Sequence, residues 1–349
     1  MKRPWNLART VLGPVLTPLY RAGVNRRNKA FDEGVGVVSV SRPVISIGNI
    51  TTGGTGKSPT TQWVCRRLLG MGARPAIAMR GYKPDATGKS DEAGEHERLL
   101  PGVPVIVGAE RAMAINAFLG TESGAQVTHL VLDDGFQHRQ LARQLDVVLV
   151  DASRDIRSER LLPAGDLREP LEGLMRAGVM VITRGESLSP GDLKNYIGTI
   201  RSLAPRAIVV HASHTWTGFT LRKPGSSIDE VLTVGQNPLA GKRVLCVAGL
   251  ANPKGFVGMC ERAAVGGSVR TLTFEDHDPY LPPAIETILG AARDCEVIVT
   301  TEKDWTKLGR VSSERWPAPV VRPRLEMAIT AGEADLDAKL AAMCESVKN

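Results

Sequence analysis

The segment Ser46-Ile47-Gly48-Asn49-Ile50-Thr51-Thr52-Gly53-Gly54-Thr55-Gly56-Lys57-Ser58 has the make-up of a loop that wraps a chain of phosphates. Glycines 53, 54 and 56 let backbone N–H groups turn inward on an anion, and a following helix adds the partial positive charge of its N-terminus. Lys57 can reach the terminal phosphates, and the Ser58 hydroxyl can hold a magnesium ion. The strict spacing G-x-x-x-x-G-K-[ST] is not met, because Thr51 stands five residues before Gly56. The competing reading is an ordinary glycine-rich turn with a solvated lysine. Context favours the phosphate loop: Val44 to Ile47 is an apolar run of strand type, and a helix is expected with Ser58 as N-cap and Pro59 at its first position. Thr52, Gly53, Gly54, Thr55, Gly56, Lys57 and Ser58 are therefore the expected nucleotide contacts.

A second group of candidates follows the apolar run Val127 to Leu132, which leads into Asp133-Asp134-Gly135-Phe136-Gln137-His138. Nucleotide-binding proteins hang a carboxylate beside magnesium in this way, so Asp133 and Asp134 join Ser58 as candidate metal ligands; a turn or helix-cap role is the alternative. Arg80-Gly81-Tyr82, Thr183-Arg184-Gly185-Glu186 and Thr301-Glu302-Lys303-Asp304 also end apolar runs. Each fits a nucleotide or substrate contact and equally a solvated loop with local ion pairs. Asp276-His277-Asp278 reads as a tuned acid/base group or as a paired surface histidine, and Asp91-Glu92 as a loop charge pair.

The elements that must position these residues alternate. Strand runs are expected at 44–47, 76–79, 103–107, 127–132, 147–150, 179–182, 208–210, 244–247, 269–272, 297–300 and 319–321, with helices in many of the gaps. That rhythm predicts an α/β fold of P-loop type, a doubly wound and mostly parallel sheet, in which ligands gather at the carboxyl ends of strands. The stretch 211–242, rich in Gly, Ser, Thr and Pro, breaks the rhythm. It marks a junction between a nucleotide-binding domain at 31–212 and a linker with a smaller α/β domain at 213–349.

Composition bounds the partners. Aromatic residues make up 4% of the 349, too few for a row of base-stacking platforms. The five cysteines are scattered without C-x-x-C spacing, which suggests neither a zinc site nor a disulfide framework. Net charge is +7, and Lys2, Arg3, Arg9, Arg21, Arg26, Arg27 and Lys29 carry all of the excess. The remainder is formally neutral, so a nucleic-acid partner is not expected. Between those charges lie Trp5, Leu7, Val11, Leu12, Val15, Leu16, Leu19 and Tyr20, which makes residues 1–30 a basic amphipathic arm suited to an anionic membrane surface. A basic helix packed on the protein, or an arm that binds nucleic acid, is the alternative. Pro14 and Pro18 break the arm, and no run is long enough to span a bilayer. Nothing in the sequence calls for an obligate protein partner.

Together these blocks resemble the tetraacyldisaccharide 4'-kinases of lipid A biosynthesis. The resemblance is carried by Val44 to Ile50 leading into Gly53 to Pro59, by Arg80-Gly81-Tyr82, and by Asp133 to His138. It continues through Leu162-Pro163-Ala164-Gly165-Asp166-Leu167-Arg168-Glu169-Pro170, Ala248 to Pro253, Phe274-Glu275-Asp276-His277 and Thr301 to Asp304. It implies transfer of the γ-phosphate of ATP, with Mg2+, to the 4'-hydroxyl of a tetraacyldisaccharide 1-phosphate, giving lipid IVA. It also implies a cleft between a larger and a smaller domain, an N-terminal membrane-associating helix, and a peripheral place at the cytoplasmic face of the bacterial inner membrane. Carried over by position, Asp91 is the expected base and His277 its partner, with Lys57 and Arg111 completing the catalytic set. Ser90 and Ala93 stand where that family has glycine and proline beside the base, and Asp278 where a second histidine is common. The residues alone leave two other readings open, a membrane-associated GTPase or ATPase switch and a kinase of a soluble acceptor.

Overall fold

A computed structural model describes residues 13–81, 91–233, 235–250, 253–276 and 278–345. The described chain divides into two compact units, one running to His214 and resuming at Met327, the other spanning Thr215–Glu326.

In the first unit the apolar runs become β1 (Val44–Asn49), β2 (Pro75–Met79), β3 (Val105–Val107), β4 (His129–Leu132), β5 (Leu145–Asp151), β6 (Val179–Thr183) and the first part of β7 (Ile208–Arg222). They lie in the order β7-β6-β5-β1-β4-β2-β3, and every pairing among them is parallel. The order reverses at β1, which sits between β4 and β5, so the crevice beyond the ends of β1 and β4 is where such a sheet binds ligands. β1, β2, β4, β5 and β6 are buried at every residue, as a parallel sheet covered on both faces requires. The period of two divides the core. Val147, Leu149, Val179 and Val181 face Val64, Cys65 and Leu68 of the helix Lys57–Gly70, while Val148, Val150, Met180 and Ile182 pack in a separate cluster with Leu174 and Ile200.

The final helix, Glu333–Glu345, also belongs to this unit, although the sequence reading assigned all of 213–349 to the second domain. Leu336 and Leu340 enter the same cluster as Ile45 and Ile47, and Arg67 pairs with Glu333 at 2.9 Å and with Asp337. A return of the chain after a whole second unit leaves no local signal in sequence.

The second unit contains β8 (Asp229–Thr233), β9 (Arg243–Ala248), β10 (Ser268–Thr273), β11 (Val297–Thr300) and the start of β12 (Val320–Ala331). β10, β9 and β11 are joined by parallel pairings, as are β11 and β12. β8 pairs antiparallel with Gly218–Arg222 of β7. Its core joins Leu245, Val247, Ile298 and Val320 to Ile288, Trp305 and Trp316. β7 and β12 each run from one unit into the other.

Leu340 is fully buried under the sheet of the first unit. Leu340→Ala should cost about 2–5 kcal/mol, the usual range for emptying such a site. Denaturant unfolding measures it, and a loss below about 0.5 kcal/mol, the size of a surface substitution, would contradict the packing described.

Candidate active site

The loop after β1 turns into the helix Lys57–Gly70, whose N-cap is Gly56 rather than Ser58. Gly56 has φ 92°, a left-handed conformation that side chains resist, and an added Cβ would meet His214 Nε2 at 2.3 Å. Lys57 and Ser58 thus occupy the first helical turn, where amide N–H groups have no intrahelical acceptor and face an incoming anion.

Two contacts hold the glycine loop open. Asp166 takes the amide of Thr52 on its carbonyl at 2.8 Å and the Thr52 hydroxyl on Oδ1 at 2.9 Å. Arg184, paired with Asp151, donates from Nη2 to the Gly54 carbonyl at 3.0 Å. Arg184 thus makes a local ion pair, as one of the two sequence readings has it, and also braces the backbone of the phosphate loop.

Across the loop stands the turn after β4. Gly48 on β1 lets the turn approach, since a Cβ there would lie 2.5 Å from Phe136 Cβ. Arg143 fixes the turn by donating to the carbonyls of His138 at 2.7 Å and Phe136 at 2.9 Å. Asp133 is 4% exposed. Its Oδ2 accepts from Ser58 Oγ at 3.2 Å and lies 2.8 Å from His96 Nε2, and its Oδ1 accepts from the Asp134 amide at 2.9 Å. Burial by itself would raise the Asp133 carboxyl, but the His96 bond and charge together with Lys57 outweigh it and hold the group below the usual carboxylate range. Asp134 is lowered in the same way, burial being overcome by Lys57 and by Arg168, whose Nη1 lies 2.9 Å from both carboxylate oxygens. Both carboxylates are ionised at neutral pH.

The structure brings Lys57, Ser58, Asp133, Asp134 and Arg111 together. Lys57 Nζ lies 3.4 Å from Asn49 Oδ1 and 3.5 Å from Asp134 Oδ1, contacts long enough to be given up for a phosphate. Arg111 is buried and donates to the Asp134 carbonyl at 3.1 Å, and burial pulls its guanidinium below the ordinary value. Asp91 opens the helix Asp91–Leu99 rather than sitting in a loop, and its side chain lies outside the described residues, as does His277.

Thr301 caps the helix Glu302–Leu308, Asp304 accepts the Gly249 amide at 3.1 Å, and Lys303 pairs with Asp276 at 2.7 Å. Those contacts give the segment Thr301 to Asp304 a structural role in the second unit. Sequence reasoning missed His96, which sits among charged residues of a helix that reads as solvated, and His214, which has no motif around it. Arg168 lies within the segment Leu162 to Pro170 with nothing local to mark it, and its pairing with Asp134 appears only in three dimensions.

The donor set suits magnesium. Ser58 and Asp133 offer hard oxygens, and among the described residues no group of three His, Cys, Asp or Glu side chains could cage a metal alone. Magnesium bound through one or two protein oxygens plus water and phosphate needs no such cage.

The family model described as tetraacyldisaccharide-1-phosphate 4'-kinase matches residues 9–345. A tetraacyldisaccharide 4'-kinase of Anaeromyxobacter dehalogenans is 37% identical over 92% of this chain and 88% of its own. One from Chlorobium limicola is 32% identical over 85% and 87%. A crystal structure of LpxK from Aquifex aeolicus in complex with ATP superposes with a TM-score of 0.70 at 23% identity, covering 97% of this chain and 99% of that one, and shows the same fold. Matched along nearly its whole length, the chain belongs to the tetraacyldisaccharide-1-phosphate 4'-kinase family.

Proposed function

We propose that the protein transfers the γ-phosphoryl group of ATP to the 4'-hydroxyl of a tetraacyldisaccharide 1-phosphate, giving lipid IVA in lipid A biosynthesis. The single observation that carries the reading is the meeting of Ser58, Lys57 and Asp133 at the ends of β1 and β4, inside a chain of that kinase family.

Phosphoryl transfer asks a protein to position groups and offset charge. Amides of the loop Thr52 to Ser58 and the Lys57 ammonium take the β- and γ-phosphates, Lys57 leaving Asn49 and Asp134 to do so. Ser58 Oγ and the Asp133 carboxylate would hold magnesium, with Asp134 beside them. Magnesium, when bound, neutralises charge on the β- and γ-oxygens. Arg111 adds fixed positive charge. Asp91, at the N-terminus of its helix and with His277 as its tuning partner, accepts the proton of the sugar hydroxyl. The O4'–Pγ bond forms as the bond from Pγ to the bridging oxygen breaks, and ADP leaves with that electron pair.

A lipid-borne acceptor and a peripheral membrane position at the cytoplasmic face complete the proposal. The helix Gly13–Asp32 exposes Val15, Leu16 and Leu19 beside Arg26, Arg27 and Lys29. The same helix touches the site, because the Tyr20 hydroxyl donates to the Arg168 carbonyl at 2.7 Å. No helix among the described residues is long and apolar enough to cross a membrane. Exposed apolar side chains flanked by cations suit an interface instead, so the acyl chains of an acceptor can remain in lipid while its sugar enters the site.

Purified protein given Mg2+, γ-labelled ATP and the tetraacyldisaccharide 1-phosphate in mixed micelles should put label on the lipid. Label released only as inorganic phosphate would replace the kinase reading with a hydrolysing switch. In the same assay Asp91→Asn should lower kcat by about 10²–10⁴-fold, the worth of general-base catalysis, with nucleotide affinity unchanged. Near-full turnover would remove Asp91 from the role.

A further inference from the structure

His96 has no part in the transfer described above, yet it is fully buried. It stands in the stripe Ala93, His96 and Leu100, the inward face of the helix Asp91–Leu99 and its end. An apolar residue would fill that place without burying a polar ring. The imidazole is not idle. Nε2 lies 2.8 Å from Asp133 Oδ2, the oxygen that also accepts from Ser58, while Nδ1 has no hydrogen-bond partner among the described residues. Opposite an ionised carboxylate oxygen Nε2 carries the hydrogen and donates it, whether the ring is neutral or protonated.

We propose that His96 is a positioning residue for the magnesium site: its Nε2–H fixes the Asp133 carboxylate in the orientation that shares a cation with Ser58, and ties the helix that opens at Asp91 to that carboxylate. The proposal rests on the phosphoryl-transfer reading, since Asp133 matters as a cation ligand only there. Three donors divide the work. The Asp134 amide holds Oδ1, Ser58 reaches Oδ2 from the phosphate loop, and His96 reaches Oδ2 from the opposite helix. The Ser58 bond is the longer of the two at 3.2 Å, and the shorter His96 contact at 2.8 Å is the firmer side-chain hold on that oxygen. A ring that served only to fill the core would need neither this distance nor this acceptor. Outer partners of metal ligands act in this way elsewhere, and removing one typically costs about 10–100-fold in metal affinity or activity.

The test separates donor from volume. His96→Leu fills the space without a donor, and His96→Gln keeps an N–H that reaches Asp133. Binding of a non-hydrolysable ATP analogue is measured by calorimetry across a Mg2+ titration, with an EDTA control and no turnover involved. His96→Leu should raise the Mg2+ concentration at half-effect about 10–100-fold, and His96→Gln should restore it to within a small multiple of wild type. In turnover, His96→Leu should lower kcat while KM for the lipid holds. Wild-type Mg2+ dependence in His96→Leu overturns the proposal and leaves the kinase reading standing. Analogue binding by the wild type that ignores Mg2+ overturns the reading itself and the proposal with it. Should His96→Leu fail to fold, wild-type protein carrying 15N-labelled histidine decides. A protonated Nε2 at His96 whose resonance moves on adding Mg2+ with the analogue supports the role, and an unmoved resonance overturns it.

Discussion

Keeping Asp133 ionised while almost fully buried is the constraint around which the site is built. A carboxylate out of water is costly unless donors and positive charge replace its hydration. Here the Asp134 amide, the Ser58 hydroxyl and His96 supply the donors, and Lys57 supplies charge. Those groups come from three different parts of the first unit: the turn itself, the helix Asp91–Leu99 and the start of the helix Lys57–Gly70. They meet only because β1 and β4 are neighbours in a sheet whose strand order reverses at β1.

The same constraint explains the supports farther out. The turn after β4 can reach β1 because residue 48 has no side chain, and Arg143 braces the turn by donating to two of its carbonyls. The glycine loop on the other side would be a floppy anion receptor if left alone, since glycines lose most on ordering. Asp166 and Arg184 restrict it by gripping its backbone at Thr52 and Gly54, so less entropy remains to be lost when phosphates arrive. Arg168 links the two sides, holding the Asp134 carboxylate while its own carbonyl takes the Tyr20 hydroxyl of the exposed N-terminal helix. The exposed N-terminal helix and the carboxylate turn are thereby joined through a single residue.

Much of this was legible in sequence for a physical reason. Strands buried on both faces must be continuous apolar runs, so Val44 to Ile47, Val147 to Val150 and Val179 to Ile182 declare themselves, and polar residues at their ends declare the site. Legibility fails where burial is partial. β8, exposed at most positions, and the later part of β12 with Arg324 and Glu326 carry no apolar run, and β7 reads as a broken junction because it leaves one unit for the other. The helix start was misplaced by two residues because Ser58-Pro59 has the cap pattern, whereas the left-handed Gly56 ends the loop. His96 is the clearest failure. Glu95 and Glu97 flank it, local composition says solvent, and only the partner thirty-seven residues away makes the buried position tolerable.

The most direct test of the account is a crystal structure of the protein with a non-hydrolysable ATP analogue and Mg2+. It should show the cation at about 2.1 Å from Ser58 Oγ with Asp133 in its coordination shell, and Lys57 Nζ moved from Asp134 to the phosphates. Phosphates bound away from the turn before Pro59, or a cation that ignores both Ser58 and Asp133, would contradict it.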